Sequence, residues 1–115
     1  MNISIIGHGY VGLVSAAVFA DLGNTVWCVG RDPQKIEKLK RGETIFYEPG
    51  LAEVVKRNLE AKRLNFTLDY VQAASTADVI FICVGTPSSE NGKADLTQVL
   101  AVAKKIGQNI KNGAV

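Results

Sequence analysis

The feature that most constrains this chain is Gly7-His8-Gly9-Tyr10-Val11-Gly12, a G-x-G-x-x-G set between two apolar stretches. Before it lies a short β-branched run, Asn2–Ile6, which reads as a buried strand halted by glycine. After it, Tyr10–Leu22 is small and apolar nearly all round, as suits a helix buried against a sheet, and Gly23 closes it. In that context each glycine has its own task. Gly7 turns the chain off the strand, Gly9 omits a Cβ so that a pyrophosphate can approach the backbone, and Gly12 lets helix and sheet pack closely. Unpaired N–H groups at the helix start favour an anion there. His8 fills a variable position between the glycines and is expected to be a solvated loop residue, since no Ser, Cys or acid is arranged to use it.

The rest of the chain repeats the alternation. Thr25–Val29 is a second strand, and Asp32-Pro33 caps a helix that ends at Gly42. Glu43–Gly50 is irregular, and Leu51–Ala61 is helical with Leu51, Val54, Val55 and Leu59 on one face. Asn65–Thr67 is a brief strand, and Asp69 caps a helical turn through Ala74. Val79–Val84 is the clearest strand of all. A polar loop, Gly85–Ala94, leads to a helix over Leu96–Ile110 capped by Asp95, with Leu96, Val99, Leu100, Ala103, Ile106 and Ile110 on its buried side. Ala114-Val115 reads as the first step of a further strand. Such alternation predicts a single α/β domain over residues 1–115, a Rossmann-type doubly wound parallel sheet that stops as its fifth strand begins.

Composition removes several alternatives. With 115 residues, 47% hydrophobic, 21% charged and only 2 Cys, the chain is neither disordered, collagenous nor a disulfide-stapled miniprotein. A net charge of +2 is too small to point to nucleic acid or an anionic membrane. The apolar run Val11–Ala20 has no preceding Lys or Arg and ends at Asp21, so it is read as neither signal peptide nor membrane anchor. Cys28 and Cys83 sit apart in apolar runs and cannot form a zinc site with the lone His8. They read as buried, reduced thiols of a cytoplasmic protein, and no metal is expected.

The end of the second strand bears on cofactor choice. An NAD site usually carries Asp or Glu there, accepting from the ribose hydroxyls. Here the strand ends Val29-Gly30-Arg31-Asp32, with Gly30 at the tip and Lys35 one turn further on. Arg31 beside the ribose is the pattern that accommodates a 2′-phosphate; the alternative is a solvated surface cation. Asp32 could reach the ribose but is placed as a helix cap. The residues leave NAD and NADP both open. Thr86 stands in the loop beyond Val79–Val84, where ligands bind on open parallel sheets; otherwise Thr86-Pro87 is an ordinary turn.

Four segments, GHGYVGLV at 7–14, DPQKI at 32–36, YEPGL at 47–51 and VGTP at 84–87, stand in an order and spacing that resembles the N-terminal domain of the UDP-glucose/GDP-mannose dehydrogenase family. The likeness covers essentially the whole chain, and YEPGL and VGTP are far more specific than the glycine loop. It implies a cytoplasmic, homo-oligomeric enzyme that oxidises the C6 alcohol of a nucleotide sugar, UDP-glucose foremost, to a carboxylate in two steps, reducing two NAD. The cofactor grip it implies falls on the glycine loop with Tyr10 and Val11, on Lys35 near the adenosine ribose, and on Thr86 near the nicotinamide. The family's ribose-binding Asp maps onto Gly30, a departure from the pattern. Tyr47-Glu48-Pro49 either faces the active site or only leads into the next helix.

The family's catalytic cysteine, which attacks the sugar aldehyde, matches neither Cys28 nor Cys83, and its lysine, asparagine and glutamate have no counterpart here. The resemblance thus implies the cofactor-binding part of a longer enzyme, with no catalytic residue in these 115 and no dehydrogenase activity alone. Two other readings stand beside it: another hydroxyacid or phosphogluconate-type dehydrogenase, against which YEPGL argues, and a non-catalytic dinucleotide-sensing module.

Overall fold

A computed structural model describes residues 1–115. Four strands, β1 (Asn2–Ile6), β2 (Thr25–Val29), β3 (Leu64–Thr67) and β4 (Val79–Ile82), form one sheet in the order β3-β2-β1-β4. Every neighbouring pair is parallel. Five helices connect and flank them: α1 (Tyr10–Asp21), α2 (Pro33–Lys40), α3 (Leu51–Glu60), α4 (Tyr70–Thr76) and α5 (Thr97–Gly107). Because strand side chains alternate, each strand feeds two cores. Ile3 and Ile5 of β1, Val26 and Cys28 of β2, and Leu64 and Phe66 of β3 pack with α1, α2 and α3. Ile6 and Val29 instead meet Ala73 and Ala74 of α4 and Val102 and Ile106 of α5. The sheet is doubly wound, as the alternation predicts.

Polar groups inside this frame are paired. Ser4, buried on the α4 side, donates its hydroxyl to the Ala73 carbonyl at 2.8 Å. Asn58, fully buried on α3, donates to the Val54 carbonyl and to Asp21, and accepts from Arg63. Two of the three predicted Asp caps hold: Asp32 accepts from the amides of Gln34 and Lys35, and Asp69 from those of Val71 and Gln72. Asp95 accepts from Thr97 instead of standing at the cap position itself, which Leu96 occupies.

Three expectations need correction. The apolar surface of α1 is not covered all round: Leu13, Ala16, Ala17 and Ala20 are buried, whereas Val11 and Val18 face solvent. The buried side of α5 is Val102 and Ile106, while Leu96 and Leu100 are exposed, because α5 meets the sheet together with α4 and presents that stripe to it. The last strand is shorter than Val79–Val84 and lies at the sheet edge, with Phe81 and Ile82 partly exposed. Its ladder continues one step, the Cys83 amide donating to the Ile6 carbonyl at 2.7 Å, before the chain bends over the glycine loop. On its outer side Val115 donates to the Asp78 carbonyl at 3.0 Å and accepts from the Ile80 amide at 2.7 Å, as the Ala114-Val115 reading predicts.

Candidate functional site

The strand order places β1 between β2 and β4, so the chain leaves β1 towards one neighbour and returns from the far side to the other. The loops after β1 and β4 therefore part at the carboxyl edge and leave a crevice there. A cleft of about 540 Å³ opens at this point. Nine of the ten sequence-predicted binding residues line it: Gly7, Gly9, Tyr10, Val11, Gly30, Arg31, Asp32, Lys35 and Thr86. Gly12, the tenth, is buried beneath the loop.

The three loop glycines differ physically. Gly7 has φ +121°, a conformation that side chains rarely adopt, and a Cβ there would overlap the Cys83 carbonyl. A Cβ on Gly12 would overlap the Gly7 carbonyl oxygen and lie 2.8 Å from its carbon, so this glycine sets how closely α1 meets the turn. Gly9 is unlike both, since a Cβ there would meet nothing within 4 Å. Nothing in the fold itself requires that position to be bare. Beside it α1 begins with no side-chain cap and no acidic residue in its first turn, leaving its N–H groups and dipole facing the cleft.

The ribose end is built by β2 and α2. Gly30 is buried, its amide donating to the Thr67 carbonyl at 3.1 Å. Arg31 and Lys35 are exposed at the rim. Asp32 Oδ1 accepts from the helix-cap amides at 2.9 and 3.3 Å, and the residue also lines the cleft. His8 is not solvated in the expected way: it is half-buried, its ring over Gly30. Sequence reading also missed Tyr70 and Gln98, which line the cleft from α4 and α5. Tyr70 packs under the Lys105 ammonium, 4.8 Å from its ring centroid, and burial pushes its phenol up. Beyond Gly30 and Arg31 the cleft runs on into a cavity of about 680 Å³ lined by Leu68, Tyr70, Val84 and Lys104 among others.

At the opposite end, Tyr10 donates its hydroxyl to Glu48 at 3.0 Å and lies against the Phe46 ring, centroids 5.3 Å apart. The YEPGL segment is thus tied to the start of α1. Tyr47 itself projects into solvent. Both thiols are free, Cys28 buried and Cys83 only half-buried. Burial pushes the Cys28 thiol up to about 12, with Cys83 adding to it, and pushes Cys83 up as well. Neither has the cationic neighbourhood that makes a thiolate. No helix is long and apolar enough to cross a membrane.

Known proteins share this arrangement. The sequence model of the UDP-glucose/GDP-mannose dehydrogenase family, NAD binding domain, matches residues 1–115. The UDP-glucose 6-dehydrogenase of Pseudomonas aeruginosa is 47% identical over 115 residues, 100% of this chain and 25% of that protein. The UDP-glucose 6-dehydrogenase TuaD of Bacillus subtilis is 51% identical over 109 residues, 95% of this chain and 24% of its own length. A ternary complex of GDP-mannose dehydrogenase from Pseudomonas aeruginosa superposes with a TM-score of 0.93 at 39% identity, covering 97% of this chain and 26% of that one. The chain spans about a quarter of the length of the curated relatives it matches. With the glycine loop, the switch-point cleft and a full-length family match in agreement, the chain belongs to the UDP-glucose/GDP-mannose dehydrogenase family as its NAD-binding domain.

Proposed function

We propose that this chain holds the dinucleotide for a cytoplasmic nucleotide-sugar dehydrogenase, one that oxidises the C6 alcohol of a UDP-sugar, UDP-glucose foremost, to the carboxylate. The observation that carries the reading is Gly9. Its missing Cβ relieves no contact within the protein, and it stands before an uncapped helix start free of acids. Those are the conditions a pyrophosphate needs in order to reach backbone N–H groups. In this reading Gly9, Tyr10 and Val11 receive the pyrophosphate, Gly30, Arg31 and Lys35 flank the adenosine ribose, and Thr86 stands at the nicotinamide end.

When bound, the dinucleotide supplies the hydride acceptor. The chain's own part is to bind and orient it, because no activated thiol stands in the cleft and the lone His8 lies at the ribose end. The groups that move the sugar's protons and attack its aldehyde then belong to a part of the parent enzyme outside these residues. The ribose end takes NADP as well as NAD: the strand tip carries Gly30 in place of an acid, one oxygen of Asp32 is engaged by its cap, and two cations flank the position.

Titration of NAD and of NADP into the chain, read by calorimetry, tests this. Saturable binding of both, each competing with the other, is the expected result, with no NADH formed when UDP-glucose is added. Arg31→Ala is expected to weaken NADP by roughly 10- to 150-fold, the worth of a charge-assisted hydrogen bond, while changing NAD little. Absence of binding at millimolar dinucleotide overturns the reading.

A further inference from the structure

Gly30 is a glycine for a reason that lies outside its own backbone. Its φ is outside the left-handed range, so an L side chain is conformationally allowed. What a side chain would meet is the His8 ring: a Cβ on residue 30 would overlap Cδ2, lie 2.6 Å from Nε2, and approach Ile36 Cδ1 to 2.9 Å, so the ring must move to admit one. The strand-tip residue of β2 and the first variable residue of the glycine loop thus compete for one volume on the cleft floor. They meet because β1 and β2 pair in parallel, Ile6 opposite Val29, which brings the residues following each strand side by side. His8 wins that volume here. Its imidazole makes no hydrogen bond to the protein, so its N–H and lone pair are left for a ligand.

We propose that His8 is the specificity-determining residue of the ribose end. By occupying the position from which a carboxylate would reach the ribose diol, it excludes the acid that favours NAD. It sets in its place a hydrogen-bond donor beside Arg31 and Lys35, a grouping matched to a phosphorylated ribose. This rests on the dinucleotide reading above. It adds that the cofactor preference is written in the pair 8 and 30 jointly, so that restoring an acid at 30 fails while His8 remains.

His8 is the single histidine of the chain, so its ring signals are unambiguous by NMR. The test compares the wild type with His8→Ala, Gly30→Asp and the double variant, measuring dissociation constants for NAD and NADP alongside the imidazole resonances. Gly30→Asp alone should move the imidazole signals, as the ring is displaced from the floor, and weaken both dinucleotides. His8→Ala should lower the ratio of NADP to NAD affinity by roughly 10-fold, as loss of a hydrogen bond to a charged group does. The double variant should tighten NAD and weaken NADP relative to the wild type. The proposal is overturned if His8→Ala leaves the affinity ratio unchanged, or if Gly30→Asp leaves the imidazole signals where they were. If the wild type binds neither dinucleotide, the reading of the cleft falls and this assignment with it; the imidazole shift in Gly30→Asp, measured without ligand, separates that failure from a wrong placement of His8.

Discussion

The Tyr10 hydroxyl donates to Glu48 Oε2 at 3.0 Å and so fastens the irregular segment before α3 to the first residue of α1. The hydrogen bond to Glu48, and then its negative charge, hold the Tyr10 phenol above its ordinary value. A raised pKa means that the contact is present below the ordinary phenol range and is lost as pH climbs through the folded-state value, so it persists at neutral pH. Tyr10→Phe removes the donor and keeps the Phe46 ring contact. We expect little change in global stability and a severalfold faster amide exchange over residues 44–50, read by hydrogen exchange mass spectrometry. Unchanged exchange in that segment would show that the bond does not restrain it.

The loop glycines separate folding from binding. Gly12→Ala places a methyl group against the Gly7 carbonyl and should cost about 1–3 kcal/mol in denaturant unfolding, as overpacking does. Gly9→Ala meets no neighbour and should leave stability within about 1 kcal/mol of the wild type. Its effect should fall on dinucleotide affinity, which we expect to drop more than roughly tenfold if the backbone must approach the pyrophosphate closely. Equal stability losses for the two variants would contradict this division.

Much of this was legible because it is written locally. Short apolar runs mark β1 and β2, with Ile3, Ile5, Val26 and Cys28, as buried strands, and the glycine loop between strand and helix marks the cleft. Asp32 and Asp69 announce their caps. What stayed hidden depends on which elements meet. The apolar residues of α5 allow more than one buried stripe, and only its docking beside α4 selects Val102 and Ile106 over Leu100. The seating of His8 over Gly30 is a contact between two loops brought together by strand pairing, and no local pattern encodes it.

The α5 correction yields a direct comparison. Leu100 is 65% exposed and Ile106 only 5%. Leu100→Ser should change stability by no more than about 0.5 kcal/mol, as most surface substitutions do. Ile106→Ala should cost about 2–5 kcal/mol, because it removes buried methyl groups between α4, α5 and the sheet. Chemical denaturation of the two variants checks the order, and a larger loss at Leu100 would restore the stripe that the sequence alone favours.

Asp21 supplies an acid-sensitive joint between α1 and α3. Arg57 grips its carboxylate with two bonds of 2.8 Å, and Asn58 donates to it at 3.0 Å. These bonds, the Arg57 ones foremost, hold the carboxyl well below the usual range. A depressed carboxyl adds stability that is complete above the unfolded value, near ~4, and is lost as pH falls through the folded one. The Arg57 side chain is 55% exposed and that of Asp21 34%, so solvent screens the pair and the gain at neutral pH is small. Denaturant midpoints measured from pH 6 down to 2 should therefore decline below about pH 4. Asp21→Asn should flatten that decline in part, Asp78 and Asp95 being lowered as well and retaining the rest. A wild-type slope in Asp21→Asn would remove the joint from the account.

The thiols give the opposite pH signature. Cys28 is fully buried, its Sγ 3.6 Å from the Gly7 carbonyl, and burial pushes its pKa up to about 12. At pH 8 only about one ten-thousandth of it is then thiolate, the form that reacts with alkylating agents. In the folded chain Cys28 should resist iodoacetamide and react only on unfolding. Half-buried Cys83, also raised, should react slowly. Because the folded value lies above the unfolded one, the Cys28 contribution is complete below about pH 8.5 and declines as pH rises towards the folded value. Cys28→Ala should flatten that alkaline decline in part, Cys83, Tyr10 and Tyr70 being raised as well, at the cost of a small cavity. Mass-spectrometric alkylation timed against unfolding, with denaturant midpoints from pH 7 to 10, measures both effects; rapid native-state labelling of Cys28 would mean that the α1 face of the sheet opens far more readily than its packing implies.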